Sequence, residues 1–137
     1  MARAYASIVI NAPVEAVWPL VRDFNSLPKW APAIAKSKIE GSLDADVVGC
    51  VRSFHTHDGG HIRERLLMLD DARYCFSYNF EKPAFPVRNY LATLQLFPVT
   101  HTNQTFAEWT ATFDEGPGDE GKYEKHISKE VFTANLK

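Results

Sequence analysis

The stretch "GCVRSFHTHDGGHIRE", Gly49 to Glu64, carries three imidazoles: His55, His57 and His61. On a strand, His55 and His57 share a face, and His61 can reach them across the turn at Asp58–Gly60. Three imidazoles suit zinc, copper or iron. The next glutamate, Glu64, follows His57 only after six intervening residues, a wide gap for one coordination sphere. No Ser-His-Asp or Cys-His pattern supplies a nucleophile. "DGG" lacks the spacing and the following helix of a phosphate-cradling loop. The chemistry must therefore come from side chains that the fold gathers, and the elements that do the gathering come next.

The chain has 137 residues, a length expected to form one domain with one core spanning residues 1–137. A chain of this size buries enough surface to fold without staples. Nine Phe, five Tyr and three Trp are enough to line a cavity as well as fill a core. Net charge is −2 and the fifteen Lys and Arg form no run, which argues against nucleic acid as a partner. No apolar run approaches the ~18 residues of a membrane span, and the N-terminus has no signal-peptide pattern. A cytoplasmic protein is expected. Cys50 and Cys75 lack paired spacing and read as reduced structural thiols.

Residues 4–11 alternate as a strand. Val14, Val17, Trp18 and Val21 then follow the spacing of one helical face, behind Pro13 at the first turn. Pro19 should keep that helix short or kinked. "DFNSLPKWAP" reads as a second short helix, closed by Pro32. Six strand-like runs follow between residue 33 and residue 114, with tight connections at Asp58–Gly60 and Leu69–Arg73 and a longer loop, "EKPAFPV". "DEGKYEKHISKEVFTANLK" reads as a terminal helix with Tyr123, Ile127, Val131 and Ala134 on one stripe. Its acidic residues lie near the start and Lys at the end, the order that the helix dipole favours. His126 falls on its polar face. No capping signal follows Leu136, so this helix is expected to continue beyond Lys137. The fold class expected is α+β: a seven-stranded antiparallel sheet with two short helices and one long helix. One helix cannot fill the concave face of so long a sheet, so a cavity should remain.

This order, with "INAPVEAVWPLVRDFNSLPKWAPAI", "IRERLLMLDDARYCFSYNF", "FPVRNYLATLQL" and "EWTATF", resembles the START-like, birch-pollen-allergen-like helix-grip superfamily. Within it the chain is similar to the polyketide cyclase/dehydrase and lipid-transport (SRPBCC) family. The last motifs also look like those of plant abscisic-acid receptors. The resemblance covers roughly residues 5–137 and implies a curved sheet gripping the C-terminal helix around a cavity. It implies that the two short helices form a V with Trp18 packed inside it and Trp30 near the cavity. The superfamily's carriers, receptors, cyclases and chaperone regulators leave function open.

Carried over from the receptors, Glu64 and Tyr90 face the ligand. Alternation then turns Ile62, Leu66 and Met68 inward with Glu64, and Ala92, Leu94 and Leu96 inward with Tyr90. The "EWTATF" match turns Glu108 inward, with Phe106, Thr110 and Thr112. Phe54, Thr56, Phe76, Tyr78 and Phe80 face inward by the same alignment. His55 and His57 then face outward, so no metal is expected. Ala31 stands nearest to the receptors' pocket lysine, so a ligand carboxylate lacks that partner here. Gly59, Gly60 and Phe85 lie in the two loops that match the receptors' gate and latch. The resulting expectation is a hydrophobic or aromatic small molecule, bound among Trp30, Phe54, Thr56, Ile62, Leu66, Tyr78, Phe80, Phe85, Tyr90, Ala92, Thr110, Ile127 and Val131, without a cofactor. The alternative is a cyclase/dehydratase-type enzyme using Glu64 or Glu108 as general acid or base, because a carboxyl in an apolar pocket keeps its proton longer. Against it stands pairing of each Glu with an arginine such as Arg52 or Arg88. A third possibility is a protein-interaction module. The sheet's edges make a homodimer plausible.

Overall fold

The computed structural model describes residues 2–32, 34–82 and 86–116. Its elements are β1 (Ala2–Ile10), α1 (Val14–Val21), α2 (Leu27–Trp30), β2 (Ile34–Ile39), β3 (Val51–Thr56), β4 (His61–Asp70), β5 (Cys75–Lys82), β6 (Val87–Val99) and β7 (Gln104–Glu115). The seven strands form one curved antiparallel sheet in the order β1-β7-β6-β5-β4-β3-β2. Strands β2 to β7 follow each other as a meander, and β1 closes onto β7, leaving β1 and β2 at the edges. The expected C-terminal helix, with Ile127, Val131 and His126, lies outside the described residues, as does Phe85.

Alternation makes one sheet face apolar, and this inner face carries the core. Its cross-strand rows are legible in the register. One runs Leu66, Tyr78, Ala92, Ala111, Ala4, and another runs Phe76, Leu94, Trp109, Ala6. Large side chains cluster on β4 and β5, whereas Ala4, Ala6, Ala92, Ala107 and Ala111 occupy the β1-β7-β6 side.

The two short helices cover one end of this face. α1 buries Val14, Val17, Trp18 and Val21, and Pro19 sits inside it. The helix ends two residues later, as a proline that removes one backbone donor would favour. Trp18 does not pack between the two short helices as expected. Its ring lies 5.9 Å from Tyr74 and 6.5 Å from Phe76, and its Nε1 donates to Asp71 Oδ1 at 2.8 Å. Trp18 therefore ties α1 to the β4–β5 turn, beside the Arg22–Asp71 ion pair. α2 has four residues and is held by Ser26, whose Oγ donates to the Leu20 carbonyl at 2.6 Å and accepts from Trp30 Nε1 at 3.1 Å.

Two irregularities correct the simple alternation. Between Leu66 and Met68 the β4–β5 register shifts by one, so Leu69 rather than Met68 pairs with Phe76. Met68 is exposed and does not line the inner face. On β6, Asn89 adopts φ 54° and the register shifts between Arg88 and Leu91. The extra residue lets both Val87 and Tyr90 point inward.

Candidate functional site

The inner face holds a charged pair where its chemistry would predict none. Arg52 on β3 and Glu64 on β4 are directly opposed in the register and nearly fully buried, at 2% and 5% exposure. Arg52 Nε donates to Glu64 Oε1 at 2.8 Å, and Nη2 lies 2.6 Å from the same oxygen. Arg52 Nη1 donates to the Phe24 carbonyl at 3.3 Å. The guanidinium carbon sits 3.9 Å from the centre of the Phe24 ring and 4.8 Å from that of Tyr78. A cation that has lost its water is thus compensated by a carboxylate, a carbonyl and aromatic faces. Burial pushes the Glu64 carboxyl above the ordinary range, while Arg52 pulls it back down.

Beside this pair lies a second polar group. Trp109 Nε1 donates to Tyr78 Oη at 2.8 Å, and Tyr78 is hydrogen-bonded to Tyr90. Burial raises both phenols well above their usual range, so both stay neutral hydroxyls. Aromatic rings enclose them: Phe80 stacks on Tyr90 at 4.0 Å, and Phe113 lies 6.0 Å from it. Trp30 packs on Trp109 at 5.8 Å. Past Trp30, a groove of about 470 Å³ opens toward β1 and α1. Ile8, Ile10, Val17, Val21, Leu94, Leu96 and Ala107 line it, with Asn11 as its polar residue.

Most expected site residues on β3 to β6 fall on this face. Ile62, Leu66, Tyr78, Tyr90 and Ala92 are buried there, and Phe80 is half-buried. Phe54 packs with Leu27, Ala31, Ile34 and Ile62 in a small cluster under α2. Thr56 turns its hydroxyl to the β3–β4 hairpin, where Oγ1 accepts from Gly60 N at 2.9 Å and also bonds Asp58. It caps the turn rather than lining the groove.

On β7 the expected facing is reversed. Thr105, Ala107, Trp109, Ala111 and Phe113 are buried, so Phe106, Glu108, Thr110 and Thr112 lie on the opposite, outer face. Glu108 accepts a hydrogen bond from Tyr5 Oη at 2.9 Å at the surface. A one-residue offset in the borrowed alignment flips every side chain of a strand. Arg52, Trp109 and the alanines of β1 and β7 are what the sequence reading left out of the site. The alternation of Ala107, Trp109, Ala111 and Phe113 was the available signal.

The three imidazoles do not converge. His55 and His61 stack face to face at 4.5 Å with an interplanar angle of 6°, and His57 is exposed in the turn. Among the described residues no group of three His, Cys, Asp or Glu could hold a metal ion. None of the described helices is long and apolar enough to cross a membrane.

A seven-stranded curved antiparallel sheet with two short helices over one end of its buried face is consistent with the helix-grip class. The chain belongs to the family described as polyketide cyclase / dehydrase and lipid transport, whose model matches residues 1–137. It is 32% identical over 92 residues to abscisic acid receptor PYL7 of Arabidopsis thaliana, a match covering 65% of this chain and 42% of that protein. The solved structure of XoxI from Bacillus cereus is similar, with 33% identity and TM-score 0.85 over 99% of this chain and 91% of that one. An uncharacterized protein from Bacillus thuringiensis shares 32% identity and TM-score 0.84, covering 98% and 93%. A Thermobifida fusca protein shares 29% identity and TM-score 0.88, covering 99% and 89%.

Proposed function

We propose that this protein binds a hydrophobic or aromatic small molecule, lipid-, polyketide- or hormone-like, against the inner face of its sheet. The observation that carries the reading is the apolar groove of about 470 Å³, separated by Trp30 from the buried polar island of Arg52, Glu64, Tyr78, Tyr90 and Trp109, none of which lines it directly. An apolar pocket with a few convergent polar groups is what small-molecule sites look like. The receptor named for abscisic acid among the relatives supports the same class. The end of the ligand that meets the island is uncharged. Arg52 is the buried cation among the described residues and is already neutralised by Glu64, and Ala31 offers no charge. Both Arg52 contacts fall on Oε1, so Glu64 Oε2 and the Tyr78–Tyr90 hydroxyls are the groups suited to a ligand hydroxyl or carbonyl.

Native mass spectrometry of protein purified from its own host tests this, alongside titration with the neutral fluorophore N-phenyl-1-naphthylamine. A stoichiometric hydrophobic adduct, or saturable probe binding, is expected. An empty protein that also gives no saturable probe response would overturn the reading.

The enzyme alternative rests on one observation, the raised Glu64 carboxyl beside two neutral phenols. It requires that Glu64→Gln abolish turnover of the ligand while binding persists. Glu108 has no part in it, since its side chain lies on the outer face.

A further inference from the structure

The outer face of β2–β5 carries an ordered set of cations that the inner-face function does not use. In one cross-strand row Lys36, His55 and His61 are directly opposed, and Lys82 Nζ reaches His61 Nδ1 at 3.3 Å. In the next row Lys38, Ser53, Arg63 and Lys82 are opposed. With Arg65, five cationic side chains thus share this face with two carboxylates, Glu40, bound to Arg63 at 2.5 Å, and Glu81, bound to Arg65 at 2.6 Å. Lys36, Lys38 and Lys82 have no ion-pair partner among the described residues. The whole chain is net negative, so this concentration of positive charge is local.

We infer that the outer face of β2–β5 is a docking surface for an extended acidic segment of a partner protein. Three observations favour that occupant. β2 is a terminal strand of the sheet, so an extended segment running along it can turn across the outer face from that side. Lys36 and Lys38 then stand over that strand at alternate positions, the spacing of acidic side chains along it. The two rows hold no Phe, Tyr or Trp to stack a nucleic-acid base. They also hold none of the exposed large hydrophobic residues that would enter a bilayer.

His61, stacked on His55 and contacted by Lys82, makes this docking sensitive to pH. An ammonium has only protons to give, so His61 Nδ1 accepts from Lys82 and the ring's proton resides on Nε2, which faces Ser53 Oγ at 2.7 Å. Free His61 is therefore neutral. Lost hydration, and then Lys82, His55 and Arg63, hold it below the ordinary histidine range, opposed only by Glu40. Lys36 faces His55 from β2. Acidic side chains laid over this face would relieve that repulsion and let protons bind. Affinity then rises as pH falls, by up to about tenfold per pH unit for each proton taken up.

The test is fluorescence anisotropy of a labelled peptide of alternating Glu and Thr, at low salt, from about pH 8 to about pH 5.5. Saturable binding that tightens toward the acid end and weakens with salt is expected. The double charge reversal Lys36→Glu/Lys82→Glu should cost at least about tenfold in affinity, a loss of about 1.4 kcal/mol. Lys29→Glu, on α2, should leave affinity unchanged. His61→Gln should retain binding at the alkaline end and lose most of its pH dependence. Circular dichroism confirms that each variant is folded. The inference is overturned if the peptide does not bind, or if charge reversal leaves its affinity intact. It is also overturned if phosphatidylserine vesicles or a single-stranded oligonucleotide bind this face while the peptide does not. None of these outcomes depends on the inner-face ligand.

Discussion

Arg52 and Glu64 form the buried ion pair on which stability turns. Each ion is out of water, so each is tolerable only because the other is present. Arg52→Met should cost about 3–5 kcal/mol in urea unfolding, because it strands a buried carboxylate. The double variant Arg52→Met/Glu64→Leu should recover most of that loss. If the two single costs simply added, the coupling would be absent and the pair would be two unrelated contacts. The same carboxyl sets a pH dependence. Its native pKa is raised, so its contribution to stability is complete below the ordinary glutamate value and declines as pH rises through the native value. Glu64→Gln has no proton to exchange there. The difference in urea midpoint between wild type and Glu64→Gln should therefore shift in favour of the variant as pH rises above about 4.5, by about 1.4 kcal/mol per unit of displacement. A difference that stayed flat across that window would mean that Arg52 cancels the burial effect.

At the scale of elements, β7 separates what strand register decides from what a motif suggests. Trp109 is 3% exposed and packs against Trp30, whereas Glu108 lies at the surface. Trp109→Ala should destabilise by about 3–5 kcal/mol, while Glu108→Gln should stay within about 0.5 kcal/mol. Comparable costs for the two would contradict the register. The strands and short helices were legible because period-two and helical spacings, with Pro and Gly between them, are local signals. The facing of β5 and of most of β6 came from the receptor resemblance, whose Tyr90 anchor agrees with the register. The facing of β7 was not legible, because a borrowed carboxylate anchor outweighed the plain apolar alternation of Ala107, Trp109, Ala111 and Phe113. The bulges after Leu66 and at Asn89 were not legible either, since they arise from how two strands meet. Met68 and Leu69 show this: sequence alternation favours Met68 inward, and the shifted register delivers Leu69. Pairing of Arg52 with Glu64 was one option from sequence, and it became definite only when β3 and β4 were placed in register.

At the scale of the whole molecule, the sheet divides its labour between faces and between ends. The outer face near β2 is cationic, the inner face near β3–β5 is aromatic and polar, and the inner face near β1, β6 and β7 borders an apolar groove lined mostly by branched aliphatic residues. A ligand spanning from the polar island into the groove would unite the last two regions. Bound to the native state alone, at a hundredfold excess over its Kd, it adds about 2.7 kcal/mol. For a chain of this size that raises Tm by about 10 °C. Ala107 is fully buried at the base of the groove, so Ala107→Phe places a ring in the space that such a ligand needs. The variant should fold, with strain of about 1–3 kcal/mol, and should lose most of the ligand-induced rise in Tm. Leu91→Ala, exposed on the outer side of β6, should keep the full rise. A full rise in Ala107→Phe would place the ligand outside the groove.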